Sequence, residues 1–305
     1  MKHFWFFTLS LLFVLAACAP QSIAVPPIVT VVPPTAVVPW KIVGTSTTMQ
    51  SVNFAGFMDP SFGVTVGNDG ETHFTTDGGA SWPKADNKSL CLFGLDIVDS
   101  HVAWSCGNGS HIRVSSDGGK TWKAVANYGA DEPDQCRFLS FLDVTTGWAA
   151  TPSRLGMTDD GGHTWKDLIL PQGIQDIAAI DLRSASEGFI TDTAGKLYIT
   201  KDGGQTWTAQ PLDFAQTIFQ HILPAPLVAM RFTDAMHGMI VLPLGSTEAG
   251  YTITSAYTVD GGKTWQVDPL PIAKGAPNLY LSHDGRTLTV YARDEKLTIL
   301  RFQRP

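Results

Sequence analysis

"SSDGGKTW", Ser115 to Trp122, is the stretch whose reading decides the fold. Taken alone, an aspartate beside two glycines, closed by a threonine and a tryptophan, has the composition of a catalytic or ion-binding loop. A catalytic carboxylate is normally one of a kind, whereas a structural device recurs. This one recurs as "TTDGGASW" (Thr75–Trp82), "TDDGGHTW" (Thr158–Trp165), "TKDGGQTW" (Thr200–Trp207) and "TVDGGKTW" (Thr258–Trp265). The closing tryptophans are separated by 40, 43, 42 and 58 residues, near the period of one four-stranded propeller blade. The box is therefore an internal repeat.

A second signal precedes each box: an acidic or small residue, three variable positions, a small residue and a large apolar one. It reads Asp59/Gly63/Val64, Asp99/Ala103/Trp104, Asp143/Gly147/Trp148, Ser184/Gly188/Phe189 and Asp234/Gly238/Met239. From the small residue to the box aspartate the distance is 14, 14, 13, 14 and 22 residues, so the two signals keep register apart from an insertion in the fifth unit. Short apolar runs broken by Gly, Asp and Pro predict four strands per unit. In the third unit these are residues 136–142, 147–151, 154–158 and 164–170, with no helix after residue 40. The box falls on the hairpin between strands three and four. There its glycines supply positive φ and its aspartate accepts turn N–H groups, while each buried tryptophan contributes about 2–3 kcal/mol. After the last box, residues 277–283, 286–292 and 296–302 read as three strands without a box. "WKIVG" (40–44) resembles the strand that follows a box tryptophan, so the N-terminal segment is expected to complete the last unit and remove an open edge. The expected architecture is an all-β, six-bladed β-propeller, with seven blades as the alternative.

With 305 residues, 44% hydrophobic and 16% charged, one large all-β domain over residues 40–305 is expected. A net charge of −7 argues against nucleic acid as a partner, since phosphate contacts require a basic face. Lys2 and the apolar run from Phe4 to Ala17 form a signal peptide over residues 1–17, too short to span a bilayer comfortably. It ends in "LAAC" (Leu15–Cys18), which resembles a bacterial lipobox, so Cys18 is expected to carry a lipid that anchors an exported chain to a membrane without crossing it. The proline-rich stretch 18–39 reads as an extended tether. The outer face of the cell membrane, or the envelope, is the expected location, and a monomer the expected state.

The boxes match the Ser/Thr-x-Asp-x-Gly-x-Thr-Trp pattern of the Asp-box, or bacterial neuraminidase repeat, with Ser81 in place of threonine in the first copy. Together with the upstream signal, residues 40 to 270 resemble the photosystem II stability/assembly factor-like propellers. The resemblance implies that the boxes, Asp77/Trp82, Asp117/Trp122, Asp160/Trp165, Asp202/Trp207 and Asp260/Trp265, lie on the outer rim and hold the fold. It also implies a non-catalytic binding or assembly scaffold for a protein or glycan. A sialidase-related glycoside hydrolase is the alternative. Sialidases need an arginine trio, a tyrosine–glutamate pair and an acid aspartate, but the first arginine here is Arg113, too late for their first-blade motif. The tandem-propeller hydrolases that use paired carboxylates are more than twice as long.

Neither a cofactor nor a metal is expected. Cys91, Cys106, Cys136 and His111 could approach one another, but no C-x-x-C spacing supports zinc. The adjacent carboxylates of "TDDGG" (158–162) point to opposite sides of a strand end and lack a downstream glutamate for calcium. In an oxidising compartment a disulfide is the better reading, with Cys91 and Cys136, at equivalent places on neighbouring inner strands, as the preferred pair and Cys106 as the alternative partner. The expected ligand face lies opposite the boxes, on loops 68–73, 107–113, 152–154 and the fifth-unit insertion 242–255. It carries His73, His111, Arg113 and Arg154.

Overall fold

The computed structural model describes residues 40–47, 51–87, 91–129, 135–214, 228–247, 250–273, 277–292 and 298–303. The signal-peptide and tether readings, and with them Cys18, lie outside the described residues. The described strands form six antiparallel sheets. Sheets one to five follow the repeat units, beginning with the inner strands Val52–Phe57, Leu92–Ile97, Phe138–Phe141, Ile177–Leu182 and Ala229–Phe232. Sheet six begins with Pro277–Leu281 and continues through Thr287–Ala292 and Thr298–Gln303. Its fourth strand is the N-terminal Lys41–Thr47, which pairs antiparallel to Thr298–Gln303, the closure anticipated from "WKIVG". The inner strands touch in cyclic order, and sheet six returns to sheet one.

Two expectations are corrected. Six or seven equivalent blades are not present among the described residues: five sheets are complete four-stranded blades, and sheet one has three strands. Pro83 follows the first box tryptophan and has no N–H to give to a ladder. Its carbonyl accepts the Phe74 N–H, but beyond it only isolated bridges form, His73 with Lys84 and Asp86 with Thr121. The fifth-unit insertion, expected as a loop over 242–255, instead lengthens the middle hairpin, whose strands run Gly238–Thr247 and Gly250–Thr258.

The five boxes share one hydrogen-bond circuit. The Ser or Thr two residues before the aspartate donates its hydroxyl to one carboxylate oxygen at 2.7–2.9 Å. The same hydroxyl oxygen accepts the N–H of the second box glycine at 2.8–2.9 Å. Four residues after the aspartate, Ser or Thr gives the carboxylate its backbone N–H at 2.9 Å in every copy. It also gives its hydroxyl, at 2.5–2.7 Å. Ser81 makes the same bonds as threonine, so the departure in the first copy costs no contact. Both glycines of every box have positive φ, the backbone region glycine enters without steric cost.

The upstream signal is a second turn at the same end of the sheet. Asp59, Asp99, Asp143 and Asp234 each accept the N–H groups two and three residues on, and the Ser184 hydroxyl does the same. The first box glycine then donates to a carbonyl of that turn, as from Gly118 to His101 at 2.8 Å and from Gly161 to Thr145 at 2.9 Å. The constant register of the two signals is the sequence trace of this link. Beneath the turns lie aromatic contacts between box tryptophans and inner-strand rings, Trp82 on Phe57, Trp165 on Phe141 and Trp265 on Phe232, edge to face. Across sheet interfaces Trp104 stacks on Phe141 at 3.8 Å and Phe189 on Phe232 at 3.6 Å.

Toward the axis an inner strand has no neighbour, and a buried N–H left unpaired there costs about 1–3 kcal/mol. Side chains from preceding sheets fill the need. The Phe141 N–H donates to Asp96 at 2.7 Å, the Leu182 N–H to Ser140 at 2.8 Å and the Phe232 N–H to Asp181 at 2.5 Å. Asp96, Ser140 and Asp181 occupy one repeat position, three residues before the acid or serine of the upstream signal. In sheet one that position is Gly56. Tyr280 of sheet six lies across it and exchanges two hydrogen bonds with Ile97 of sheet two, accepting its N–H at 2.9 Å and donating to its carbonyl at 3.2 Å. Thr289, also from sheet six, accepts the Phe57 N–H at 3.0 Å.

A β-carbon on Gly56 would sit 2.9 Å from two carbons of the Tyr280 ring. Gly56→Ala should therefore lower the stability measured by urea denaturation by about 1–3 kcal/mol, and an unchanged midpoint would contradict the packing.

Hydroxyl donors, first among them Ser81, Thr164 and Thr206, lower the pKa of Asp77, Asp160 and Asp202 from 3.8 to about 2. A depressed folded pKa means stability that is present above the unfolded value and lost as pH falls through the folded one. Melting followed by circular dichroism should thus show a decline from about pH 4 to about pH 2. Asp160→Asn should lower the melting temperature at pH 7 and flatten the acid decline. A variant melting like the parent would remove Asp160 from the stabilising set.

Candidate functional site: the central channel

The inner strands enclose a cavity of about 530 Å³. In sheets one to five each inner strand ends at the box-bearing end, so the beginnings of these strands surround the opposite opening. Asn53, Gln135, Arg137, Thr193 and Asn278 lie there. Below them the wall is apolar, with Phe54, Phe93, Phe138, Ile177, Val228 and Leu279 contributed by six different sheets. Asn278 donates to the Asn53 carbonyl at 2.8 Å, and Asn53 donates to the Leu92 carbonyl at 3.1 Å, which ties sheets six, one and two together at the mouth.

The deep end is polar. Arg231 sits between two carboxylates, with Nη1 2.8 Å from Asp181 and Nη2 3.2 Å from Asp96. His283 Nε2 lies 2.9 Å from the same Asp96 oxygen. Both aspartate side chains are 1% exposed. Burial opposes the ionisation of Asp96, but His283, Arg231 and the Phe141 N–H outweigh it and hold its carboxyl below the usual range. For Asp181 burial prevails and pushes the carboxyl up, against the pull of Arg231 and the Phe232 N–H. Their oxygens are thus occupied by backbone N–H groups and a guanidinium of the ring itself. Asp96 and Arg231 line the deep end of the cavity, and the cluster forms a polar plug held by the ring's own groups.

The residues expected on the ligand face are not brought to the channel, because each lies on the third strand of its sheet or immediately before it, away from the axis. The His73 side chain is 2% exposed and pairs through Nε2 with Glu71 at 2.9 Å, a carboxylate that also holds Lys84. His111 Nδ1 lies 3.3 Å from Asn127. Arg113 is half-buried opposite Ala124 of the outer strand. Arg154 grips both oxygens of Asp167 at 3.0 Å and covers the Tyr128 ring, whose hydroxyl donates to the same aspartate at 2.7 Å. None of the four lines the channel cavity, and Arg154 holds Asp167 of the outer strand Lys166–Asp167.

The box aspartates lie on the hairpins after the third strands, at the far end from the mouth. The preferred Cys91–Cys136 disulfide is absent: all three described cysteines are free thiols. It is Cys106 that shares a core cluster with Cys136. Cys91 and Cys136 occupy like positions on different inner strands, whereas a second-strand residue such as Cys106 faces the next sheet. Among the described residues no group of three or more His, Cys, Asp and Glu could hold a metal ion. Sequence reasoning missed Arg137, Phe138 and the Asp96–Arg231–Asp181 plug. The available clue was that Asp96, Asp181 and Arg231 share one repeat position.

The family described as photosynthesis system II assembly factor YCF48 matches residues 86–222. The photosystem II assembly lipoprotein Ycf48 of Synechococcus sp. (strain CC9902) is 27% identical over 178 residues, which cover 55% of this chain and 51% of that protein. The chain thus spans about half the length of this curated relative. Among solved structures, YCF48 bound to D1 peptide is 16% identical with a TM-score of 0.48, over 90% of this chain and 97% of that one. An ancestral GH74 enzyme is 13% identical with a TM-score of 0.50, over 84% of this chain and 36% of that one, a likeness of fold alone. Five boxes in register with a second turn, closure by the N-terminal strand and the match over the central repeats together show a β-propeller that resembles the photosystem II assembly factors.

Proposed function

We propose that the chain is a non-catalytic assembly scaffold in which the mouth of the channel holds a segment of another protein. The observation that carries this reading is the shape and lining of the channel. It is an apolar throat of about 530 Å³, with Arg137 and amide side chains at the rim and a plugged floor. Such a site takes an apolar side chain into the throat while the rim hydrogen-bonds the backbone on either side. A glycan, the other ligand class the sequence allows, would find few polar partners below the rim. The assembly-lipoprotein character of the Synechococcus relative supports both the scaffold role and a lipid on Cys18 that holds the ring outside the cytoplasm. Residues 19–39 would then separate the ring from the membrane. Hydrolysis of a glycoside requires carboxyl groups open to the sugar. The two that converge in the channel are buried and hydrogen-bonded within the ring, which supports a role in closing it.

Affinity capture from the native membrane fraction, with the mature chain as bait, tests the reading. A protein retained by the parent and by Asp160→Asn, assayed below its melting temperature, should be lost at least about tenfold with Arg137→Glu or Phe138→Ala. Equal capture by all four baits would remove the channel mouth from binding. The plug makes a separate prediction. Arg231→Met leaves two buried carboxylates without their cation and should cost about 3–5 kcal/mol in denaturant unfolding. A variant as stable as the parent would show that the aspartates do not depend on Arg231.

A further inference from the structure

Cys106 and Cys136 belong to different sheets yet meet inside one of the ring's six interfaces. Cys106 lies on the second strand of sheet two, Ala103–Gly107, paired opposite Gly94 of the inner strand. Cys136 stands two residues before the inner strand of sheet three. Both are 0% exposed and belong to the same apolar cluster, with Trp104, Ile112 and Phe141. Gly94 allows the approach. A β-carbon there would lie 2.7 Å from Cys106 Sγ and 2.8 Å from the carbonyl of Arg137, the neighbour of Cys136. The Cys136 thiol donates to the Phe138 carbonyl at 3.8 Å, while Cys91 lies outside the cluster.

We infer that Cys106 and Cys136 form an inter-sheet disulfide, a staple between sheets two and three directly behind the channel wall. The oxidant is a disulfide of the glutathione class or a protein dithiol oxidase. One cysteine thiolate attacks a sulfur of the donor disulfide and displaces one donor thiolate. The second cysteine thiolate then attacks the mixed disulfide and displaces the other. Two electrons pass to the donor, and the two thiol protons are released. Burial raises the Cys106 pKa well above that of an exposed thiol, and the thiolate is the attacking form. Exchange therefore takes place while sheets two and three are still open, during folding, and the closed ring then shields the bond from reductant.

The direct test uses the full chain with Cys18→Ser, so that three thiols compete. It is reduced in denaturant, refolded through mixtures of glutathione and glutathione disulfide, quenched by alkylation and mapped by peptide mass. Cys106 and Cys136 peptides should appear linked, with Cys91 alkylated or capped by glutathione. Adding Cys91→Ser should leave the link intact, whereas Cys106→Ser should leave Cys136 alkylated. With a loop of roughly 30 residues closed, the oxidised chain should melt about 5–10 °C above the same chain refolded in excess reductant. A link that includes Cys91, or alkylation of both Cys106 and Cys136 at the most oxidising ratio in a chain with native circular dichroism, would overturn the assignment.

Discussion

The fold depends on how the innermost strand of each sheet disposes of the backbone amides it turns toward the axis. An edge strand facing solvent leaves this to water, but at the centre of a closed ring water is largely replaced by protein. Here sheets two, three and four reach into the sheet that follows: Asp96 takes the Phe141 N–H, Ser140 the Leu182 N–H and Asp181 the Phe232 N–H. Sheet six serves two others, through Tyr280 to Ile97 and Thr289 to Phe57. These bonds are satisfied only when the neighbouring sheet is in place, so they reward closure of the ring as a whole. Arg231 then neutralises the two aspartates that such a scheme buries, since a carboxylate left unpaired in the interior would cost several kcal/mol.

From this follows a division of labour between the two ends of the ring. At one end the boxes and upstream turns consume their polar atoms on each other, with five nearly superimposable circuits linked by glycine N–H groups. At the other end the inner strands begin, repeat chemistry is absent, and residue types vary from sheet to sheet: Asn53, Gln135, Arg137 and Asn278 have no common pattern. Variation on a fixed frame is what binding requires. His73, His111 and Arg154, on third strands or just before them, sit near this end in sequence, yet spend their polar groups on Glu71, Asn127 and Asp167.

The repeat and its register were legible because their chemistry is local. An Asp that binds residues two and four positions away, and glycines with positive φ, leave a pattern that spacing alone reveals, and closure by Lys41–Thr47 followed from its likeness to "TWKAV". Long-range features were less visible. The position that ties the ring together holds Gly56, Asp96, Ser140, Asp181 and Arg231, four residue types over five units, so no consensus marks it. Pro83 was in plain view, but its effect on the sheet one ladder depends on a partner strand that spacing does not identify. The fifth-unit insertion was read by its length as a loop, although its alternating residues Tyr251, Ile253 and Ser255 suit a strand. For the cysteines, equivalence along the sequence was mistaken for proximity. Equivalent inner-strand positions are spaced around the axis, while the face of a second strand meets the sheet beside it.

Native-state hydrogen exchange at the axial amides tests this account most directly. If closure of the ring rests on the side chains of neighbouring sheets, the N–H groups of Phe57, Ile97, Phe141, Leu182 and Phe232 should exchange only through global unfolding. Their opening free energies should match that of the whole domain and fall together in mild denaturant. Exchange of these amides through separate local openings, with free energies that differ from sheet to sheet, would contradict the claim that the inter-sheet bonds close the ring as one cooperative unit.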